Sequence, residues 1–330
     1  MALLFAGNRV AGQLRTEPPW IGETEAATTL PQEQAEPEIT RPRETEARET
    51  SAPETQPPVD ERKARLAAAA EGMDAAHIFV YDTAADDMLC CTGDAGEDLY
   101  PASITKLFTA WLALRYLQPE DVITAGDELS LVQPGSSTAY IRKGCRLTVG
   151  MLIEAMLLPS GNDAAYVLAA AAGRAAAGDE TLDAKAAVAV FVEAMNREAR
   201  DLGFRNTVFQ NPDGYHREEH ISCPEDVIRM GILALEEPLI AGYAGLQQAS
   251  VVFESGQWIT WYNTNALLNP ESPYYSPGCR GLKTGYTGEA GYCLLAAFEK
   301  DGGYLLVGIF GGDDKNARYT DAAALLELCQ

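Results

Sequence analysis

The sequence predicts an α+β fold in which strands from both ends of the chain share one antiparallel sheet, flanked by helices and with a helical subdomain inserted. Two strand-like segments stand near residues 77–93, apolar helical segments fill residues 103–236, and strand-like segments return after residue 281. The last strands are joined by tight turns rather than by helical crossovers. This arrangement disfavours a parallel, doubly wound sheet.

The first two strands are predicted from a short hairpin pattern. The segments "HIFVYD" (77–82) and "DMLCCTG" (87–93) are rich in strand-forming residues and are separated by only "TAAD". They are expected to pair with each other at the N-terminal side of the sheet.

Five apolar segments predict the helices of the middle region. We expect the third helix to stop at Gly173, the fourth to end with Gly203 as its C-cap, and the fifth to carry Pro224 in its first turn. The five segments are "SITKLFTAWLALRYL", "TVGMLIEAMLL", "DAAYVLAAAAG", "AAVAVFVEAMNREARDLG" and "CPEDVIRMGILALE".

The C-terminal region returns to strands and then closes with a helix. The segments "GLKTGYT", "GYCLLAAFEK" and "GYLLVGIFGG" are typical of strands, and the "DG" at 301–302 predicts a tight turn between the last two. The final segment, "ARYTDAAALLELC", predicts a helix.

Composition excludes several classes of function. The chain has 330 residues and a formal net charge of -23, which argues against binding to nucleic acid or to anionic lipid through a basic patch. The seven cysteines are odd in number and show no CxxC spacing, so neither a metal site nor a disulfide scaffold is predicted. No cofactor is expected.

The first 64 residues differ in composition from the rest. Residues 16–60 are rich in Pro, Glu and Thr and poor in aromatic residues, so we predict a disordered linker over residues 1–64 and a folded domain over residues 65–330. No apolar run is long enough for a transmembrane helix.

Ser103 and Lys106 are the first candidate catalytic residues. Residues three apart share a helix face, so the amine can reach the hydroxyl at the start of an apolar helix. A desolvated, neutral amine there would act as a general base for a serine nucleophile. Taken alone, the spacing is more typical of a capped helix whose lysine reaches solvent.

Two further motifs follow in the chain. Ser160 and Asn162 belong to "SGN", which alone is also typical of a helix-ending turn. Lys283, Thr284 and Gly285 form "KTG" on a predicted strand, where a strand edge could align a substrate backbone. An SxxK, an SxN-type triplet and a KTG in this order form the signature of penicillin-binding proteins and class A β-lactamases.

Longer segments extend this resemblance. The segments "GSSTAYIRKGCRLTVGMLIEAMLLPSGNDAAYVLA", "FVEAMNREARDLGFRNTVFQNPDGYH" and "GLKTGYTGEAGYCLLAAF" resemble the serine-type D-alanyl-D-alanine carboxypeptidases, which are low-molecular-mass penicillin-binding proteins. The similarity covers roughly residues 75–328. It implies a β-lactamase/transpeptidase-like fold.

The resemblance also implies roles for the motif residues. Ser103 would form an acyl-enzyme with a peptidoglycan stem peptide ending in D-Ala-D-Ala, Lys106 would be its base, and Ser160 would pass a proton to the leaving amine. Asn162 would orient the acyl chain. The same motif match would have Lys283 and Thr284 bind the terminal carboxylate, with Gly285 in the same substrate-binding motif letting another backbone come close. The backbone N–H groups of Ser103 and Tyr286 would form an oxyanion hole. β-Lactam antibiotics would acylate the same serine.

Some alternatives remain open from the sequence. The middle motif is SGN rather than SDN and no "ExxLN" segment supplies a deacylating glutamate, which disfavours a β-lactamase. A D,D-endopeptidase, or a sensor that is acylated but hardly turns over, would share all three motifs. We interpret His77, His216 and His220 as packing residues in turns or at the surface. Arg318 could help to bind a substrate carboxylate, but we interpret it as a surface charge at a helix end.

The implied substrate lies outside the cytoplasmic membrane. We therefore expect an extracytoplasmic protein in the cell envelope, exported or tethered to the membrane only through a segment that is not evident in this chain.

Overall fold

The computed structural model describes residues 61–329, so the predicted linker lies almost entirely outside the described residues. Within this range the chain forms eight α-helices and nine strands. The helices are α1 (Glu61–Ala70), α2 (Thr105–Ala113), α3 (Val149–Leu157), α4 (Asn162–Ala177), α5 (Ala184–Asp201), α6 (Pro224–Glu236), α7 (Pro238–Ala244) and α8 (Ala317–Cys329). The strands are β1 (His77–Asp82), β2 (Asp87–Cys91), β3 (Val122–Thr124), β4 (Arg146–Thr148), β5 (Gln248–Val252), β6 (Trp258–Tyr262), β7 (Cys279–Thr287), β8 (Gly291–Lys300) and β9 (Gly303–Gly312).

One antiparallel sheet joins the two ends of the described chain, in the order β2-β1-β9-β8-β7. The N-terminal hairpin is placed beside the C-terminal strands by pairing of β1 with β9, with Val80 opposite Val307. The turn at residues 301–302 brings Lys300 opposite Gly303, as the "DG" signal predicts. The predicted α+β architecture is therefore confirmed.

Both faces of this sheet are buried, because helices cover each of them. On β1, Ile78 and Val80 face a small core shared with α1 and α8, whereas Phe79 faces the large core of the helical region. On β8, Leu294 and Leu295 divide in the same way. The sequences of these strands are consequently nearly continuous apolar runs and do not alternate between apolar and polar residues.

The third predicted helix does not stop at Gly173, and this prediction was wrong. Helix α4 continues to Ala177 and ends at Gly178, whose φ of 64° is left-handed. A Cβ at residue 173 would lie 1.9 Å from the main-chain oxygen of Ala187 on α5. This glycine therefore allows two helices to approach closely and does not end one of them.

Several elements were not predicted from the sequence. They are α1, α7, the β3–β4 pair and the β5–β6 hairpin, all short or amphipathic segments with weak periodicity. The hairpin is relevant to the site because the chain leaving β6 leads directly to Thr264. No helix among residues 61–329 has the length and apolar character needed to cross a membrane.

Candidate active site

Ser103 lies in a 3-10 helix, Ala102–Ile104, that leads into α2. The preceding residue, Ala102, has a φ of 46°, a conformation that is strained for a residue with a side chain. Backbone donors at a helix start have no partner within the helix. The hydroxyl therefore stands where developing negative charge is stabilised.

Lys106 lies one turn later and is completely buried. Its Nζ is 2.8 Å from Ser103 Oγ and donates a hydrogen bond of 2.5 Å to the main-chain oxygen of Asp213. Burial lowers the pKa of Lys106 to about 8, although the charges of Asp213 and Asp163 oppose this shift. The predicted pairing of amine and hydroxyl is present, and the lysine does not reach solvent.

The geometry suits a neutral amine. A carbonyl oxygen can only accept, so one N–H of Lys106 must point at Asp213. The hydroxyl of Ser103 can donate or accept, which leaves the lone pair of a neutral amine free to receive the Ser103 proton. The arrangement can therefore generate a serine nucleophile.

Ser160 lies in the turn between α3 and α4, and Asn162 is the first residue of α4. Ser160 has a φ of 62°, and the main-chain N–H of Asn162 donates to the oxygen of Ser137 at 2.8 Å. The next residue, Asp163, accepts hydrogen bonds from the N–H groups of Ala139 and Ile141 at 2.8 and 2.9 Å. These bonds fix the turn against the 137–141 segment.

The KTG residues lie on β7, at the edge of the sheet. Lys283 is buried and its Nζ donates to the oxygen of Thr284 at 3.1 Å. Burial, together with the nearby cations Lys106 and Arg318, holds the pKa of Lys283 well below its usual range. The hydroxyl of Thr284 lies 2.6 Å from that of Thr264.

Two glycines bring other backbones against the nucleophile. A Cβ at Gly285 would lie 2.9 Å from the Cβ of Ala102, and one at Gly214 would lie 1.8 Å from the oxygen of Ala102. In both cases the main-chain nitrogen of Ser103 is within about 3 Å of that position (3.1 and 3.0 Å). Only glycine fits at these two positions without displacing the Ser103 backbone.

These elements enclose a cleft of about 870 Å³. Six of the eight predicted site residues line it: Ser103, Ser160, Asn162, Thr284, Gly285 and Tyr286. The side chains of Lys106 and Lys283 are buried next to this lining. The structure therefore brings all three motifs together around one hydroxyl.

Arg318 is not the surface charge that the sequence suggested, and that interpretation was wrong. It lines the cleft, is only 5% exposed, and donates to the oxygens of Gly285 and Cys293 at 3.2 and 2.9 Å. The segment "GGDDKNAR" (311–318), which runs from the end of β9 into the first residues of α8, is polar and does not indicate this burial. The burial comes from packing against β7 and β8 and not from the local sequence.

The histidines divide between packing and the cleft. His220 is buried, its Nδ1 accepts from the N–H of Gln210 and its Nε2 lies 2.9 Å from the Thr105 hydroxyl. Burial lowers the pKa of His220 to about 3, so this ring is neutral and structural. His216 lines the cleft, contacts the ring of Tyr100 edge-on and lies 3.8 Å from Glu289.

No group of three or more His, Cys, Asp or Glu side chains within residues 61–329 is arranged to hold a metal ion.

Comparison with known sequences supports one family. Residues 64–313 match the profile described as D-alanyl-D-alanine carboxypeptidase. The chain is 29% identical over 240 residues to D-alanyl-D-alanine carboxypeptidase DacF of Bacillus subtilis, covering 71% of this chain and 57% of that protein. It is 30% identical over 233 residues to the D-alanyl-D-alanine carboxypeptidase of Streptomyces sp. K15, covering 68% and 76%. The chain thus spans little more than half the length of the Bacillus protein.

Solved structures agree with this assignment. The crystal structure of the Streptomyces K15 DD-transpeptidase is similar with a TM-score of 0.69 and 27% identity, over 78% of this chain and 97% of that one. Penicillin-binding protein D2 of Listeria monocytogenes, in its ampicillin-bound form, is similar with a TM-score of 0.62 and 25% identity, over 78% and 98%. The expected β-lactamase/transpeptidase-like fold is confirmed, and the chain belongs to the D-alanyl-D-alanine carboxypeptidase family.

Proposed function

We propose that this protein is a serine D,D-carboxypeptidase that removes the terminal D-alanine from peptidoglycan stem peptides through an acyl-enzyme on Ser103. The observation that carries the proposal is the buried Lys106 amine, 2.8 Å from the Ser103 hydroxyl, inside a cleft that also contains the SGN and KTG residues. Family membership supports the same chemistry.

Acylation uses the Ser103–Lys106 pair. Neutral Lys106 takes the proton of Ser103 as Oγ attacks the carbonyl carbon of the penultimate D-alanine. The backbone N–H groups of Ser103 and Tyr286 stabilise the negative charge on the carbonyl oxygen. Removing one such donor costs about 3 kcal/mol in enzymes that use an oxyanion hole.

The leaving D-alanine needs a proton on its amine. The Ser160 hydroxyl lines the cleft and can relay the proton that Lys106 has taken. The amide of Asn162, fixed at the start of α4, donates to the acyl chain of the substrate.

The terminal carboxylate of the substrate binds on the side of the cleft that β7 forms. Thr284 offers a hydroxyl, and the buried guanidinium of Arg318 makes this part of the cleft electropositive. A carboxylate here would raise the pKa of Lys283 again, so substrate binding and protonation of Lys283 favour each other.

The family assignment also supports β-lactams as covalent inhibitors, since a family structure is described in an ampicillin-bound form. A peptidoglycan substrate places the enzyme outside the cytoplasmic membrane, in the cell envelope.

The first test is labelling of the full chain with a fluorescent penicillin, read by intact mass. We expect one adduct on the wild type and none on a folded Ser103→Ala variant. A wild-type protein that is folded but takes no label would refute the proposal. Release of D-alanine from a stem pentapeptide then identifies the carboxypeptidase, cleavage of a cross-linked dimer would indicate an endopeptidase, and a lasting adduct without peptide turnover would indicate a sensor.

A further inference from the structure

A buried carboxyl group beside the catalytic pair has no role in the mechanism given so far. Asp213 has no exposed surface, lines the cleft, and uses Oδ1 to accept from the N–H of Tyr215 at 3.3 Å. Its other oxygen, Oδ2, is buried and has no hydrogen-bond partner among residues 61–329. A buried acceptor without a partner is costly, so its retention calls for an explanation.

The loop that carries Asp213 is held tightly against the nucleophile. Thr109 on α2 donates to the oxygen of Pro212 at 2.7 Å, and Asn211 bonds both Tyr215 and Gly214 at 2.8 Å. Gly214 packs directly on the backbone of Ala102, as described above. The main chain of Asp213 is therefore fixed beside the Ser103–Lys106 pair, where its carbonyl oxygen accepts a hydrogen bond from Lys106.

The charged groups around Asp213 come from several elements. Lys106 on α2 and Arg217 on the same loop both favour its ionised form, whereas burial opposes it and raises its pKa overall. Tyr166 on α4 is also close enough to be influenced by its charge. Because burial lowers the pKa of Lys106, the acid and the amine approach each other in proton affinity.

A second unpartnered acceptor lines the same cleft. Oδ1 of Asn162 is buried and has no hydrogen-bond partner within the described part of the chain. If the amide nitrogen of Asn162 donates to the acyl group, this oxygen remains available. Two residues that line the cleft, Asp213 and Asn162, thus each retain a buried acceptor without a partner among residues 61–329.

We propose that Asp213 is the general base that activates water for hydrolysis of the Ser103 acyl-enzyme. This inference rests on the proposed function. It supplies the group that the sequence lacks at the position where class A β-lactamases carry a glutamate, and it places that group on the "NPDGYH" segment instead.

The step balances with one proton taken from solvent and one returned to it. During acylation Asp213 is a carboxylate and Lys106 an amine, and Lys106 returns the Ser103 proton to the leaving amine. In the acyl-enzyme, Lys106 takes up a proton from solvent. The carboxylate takes a proton from water as the water oxygen attacks the ester carbonyl, and the ammonium of Lys106 protonates Ser103 Oγ as its bond to the acyl carbon breaks. Asp213 then releases its proton to solvent.

The test separates acylation from deacylation in Asp213→Asn. The carboxamide keeps the shape of the side chain, and Lys106 remains the base for acylation, so we expect the rate of acylation by benzylpenicillin to stay within about threefold of the wild type. Decay of the penicilloyl adduct should slow by about 100-fold or more. With stem pentapeptide, acyl-enzyme should accumulate, and kcat and KM should fall together.

The matched control is Glu154→Gln, which changes a buried carboxyl on α3 whose pKa is also raised by burial. It should leave both rates unchanged. Unchanged adduct decay in Asp213→Asn, or an equal loss in both steps, would overturn the inference. If Asp213→Asn does not fold, Asp213→Glu is the second variant. A rate of adduct decay within about tenfold of the wild type would support the inference, and a rate about 100-fold lower would refute it. Absence of any wild-type adduct would instead refute the proposed function.

Discussion

One wall of the cleft is formed by α2, next to the buried Lys106, and the other by β7, next to the buried Lys283. The contrast between their surroundings shows which conditions allow a lysine amine to act as a base. Burial lowers the pKa of both. On the α2 wall, the charges of Asp213 and Asp163 offset part of this shift, and the pKa of Lys106 stays at about 8. On the β7 wall, Lys283 faces the cations Lys106 and Arg318, which lower its pKa further.

Because their pKa values differ in this way, the two amines have different roles. Lys106 has a hydroxyl at 2.8 Å and a proton affinity near neutrality, which suits a group that takes up and returns a proton. The Nζ of Lys283 bonds the oxygen of Thr284 and has no such hydroxyl contact among residues 61–329. The carboxylate of a bound substrate would raise the pKa of Lys283 and restore its charge, so we assign Lys283 to substrate binding.

The largest effect is expected from removing the base. Lys106→Ala should lower the second-order rate of acylation by a penicillin by about 10³-fold, because Ser103 loses its proton acceptor. Intact-mass kinetics measure this rate, and thermal unfolding checks that the variant folds. A loss below tenfold in the acylation rate would mean that Lys106 is not the base that activates Ser103.

A smaller and more selective effect is expected on the other wall. Lys283→Ala should lower kcat/KM by about 10²-fold for a peptide ending in D-alanine, because a charged hydrogen bond to the carboxylate is lost. The penalty should fall below about fivefold for the matching peptide that ends in D-alaninamide. Steady-state release of the terminal residue measures both, and equal penalties would show that Lys283 does not recognise the carboxylate.

The pH dependence of acylation tests the pKa of Lys106 directly. The free energy to form the neutral amine falls as pH rises towards the lowered pKa, so the acylation rate should increase about tenfold per pH unit below pH 8 and level off above it. Stopped-flow labelling between pH 6 and 9.5 measures the profile. A rate that is flat below pH 8 would contradict lysine as the base.

The contrast between the walls also shows what could be predicted from sequence. The three motifs are local, so Ser103, Lys106, Lys283 and their elements could be placed in advance. Arg318 was misread as a surface charge and Asp213 was missed, because their burial arises from packing of a helix start and a loop against distant strands and helices. Gly173 was misread for the same reason: its close neighbour, Ala187, belongs to another helix.

The smallest effect concerns a hydroxyl pair on the β7 wall. The hydroxyl of Thr264, which follows β6, lies 2.6 Å from that of Thr284, and both residues line the cleft. Thr264→Val keeps the side-chain shape and removes this bond, which is worth about 1 kcal/mol. We therefore expect kcat/KM for the stem peptide to fall about fivefold.

The matched control for this last change is Thr260→Val, which removes a similar hydroxyl pair of 2.8 Å with Ser250 on the hairpin, outside the cleft. It should leave kcat/KM unchanged, and both variants should unfold at similar temperatures. Because Thr284 belongs to the wall that recognises the carboxylate, the loss in Thr264→Val should shrink for the D-alaninamide peptide, as for Lys283→Ala. A loss of the same size with both peptides would show that Thr284 acts in the acylation step and not in carboxylate binding. The assignment of base chemistry to the α2 wall and carboxylate recognition to the β7 wall would then be wrong.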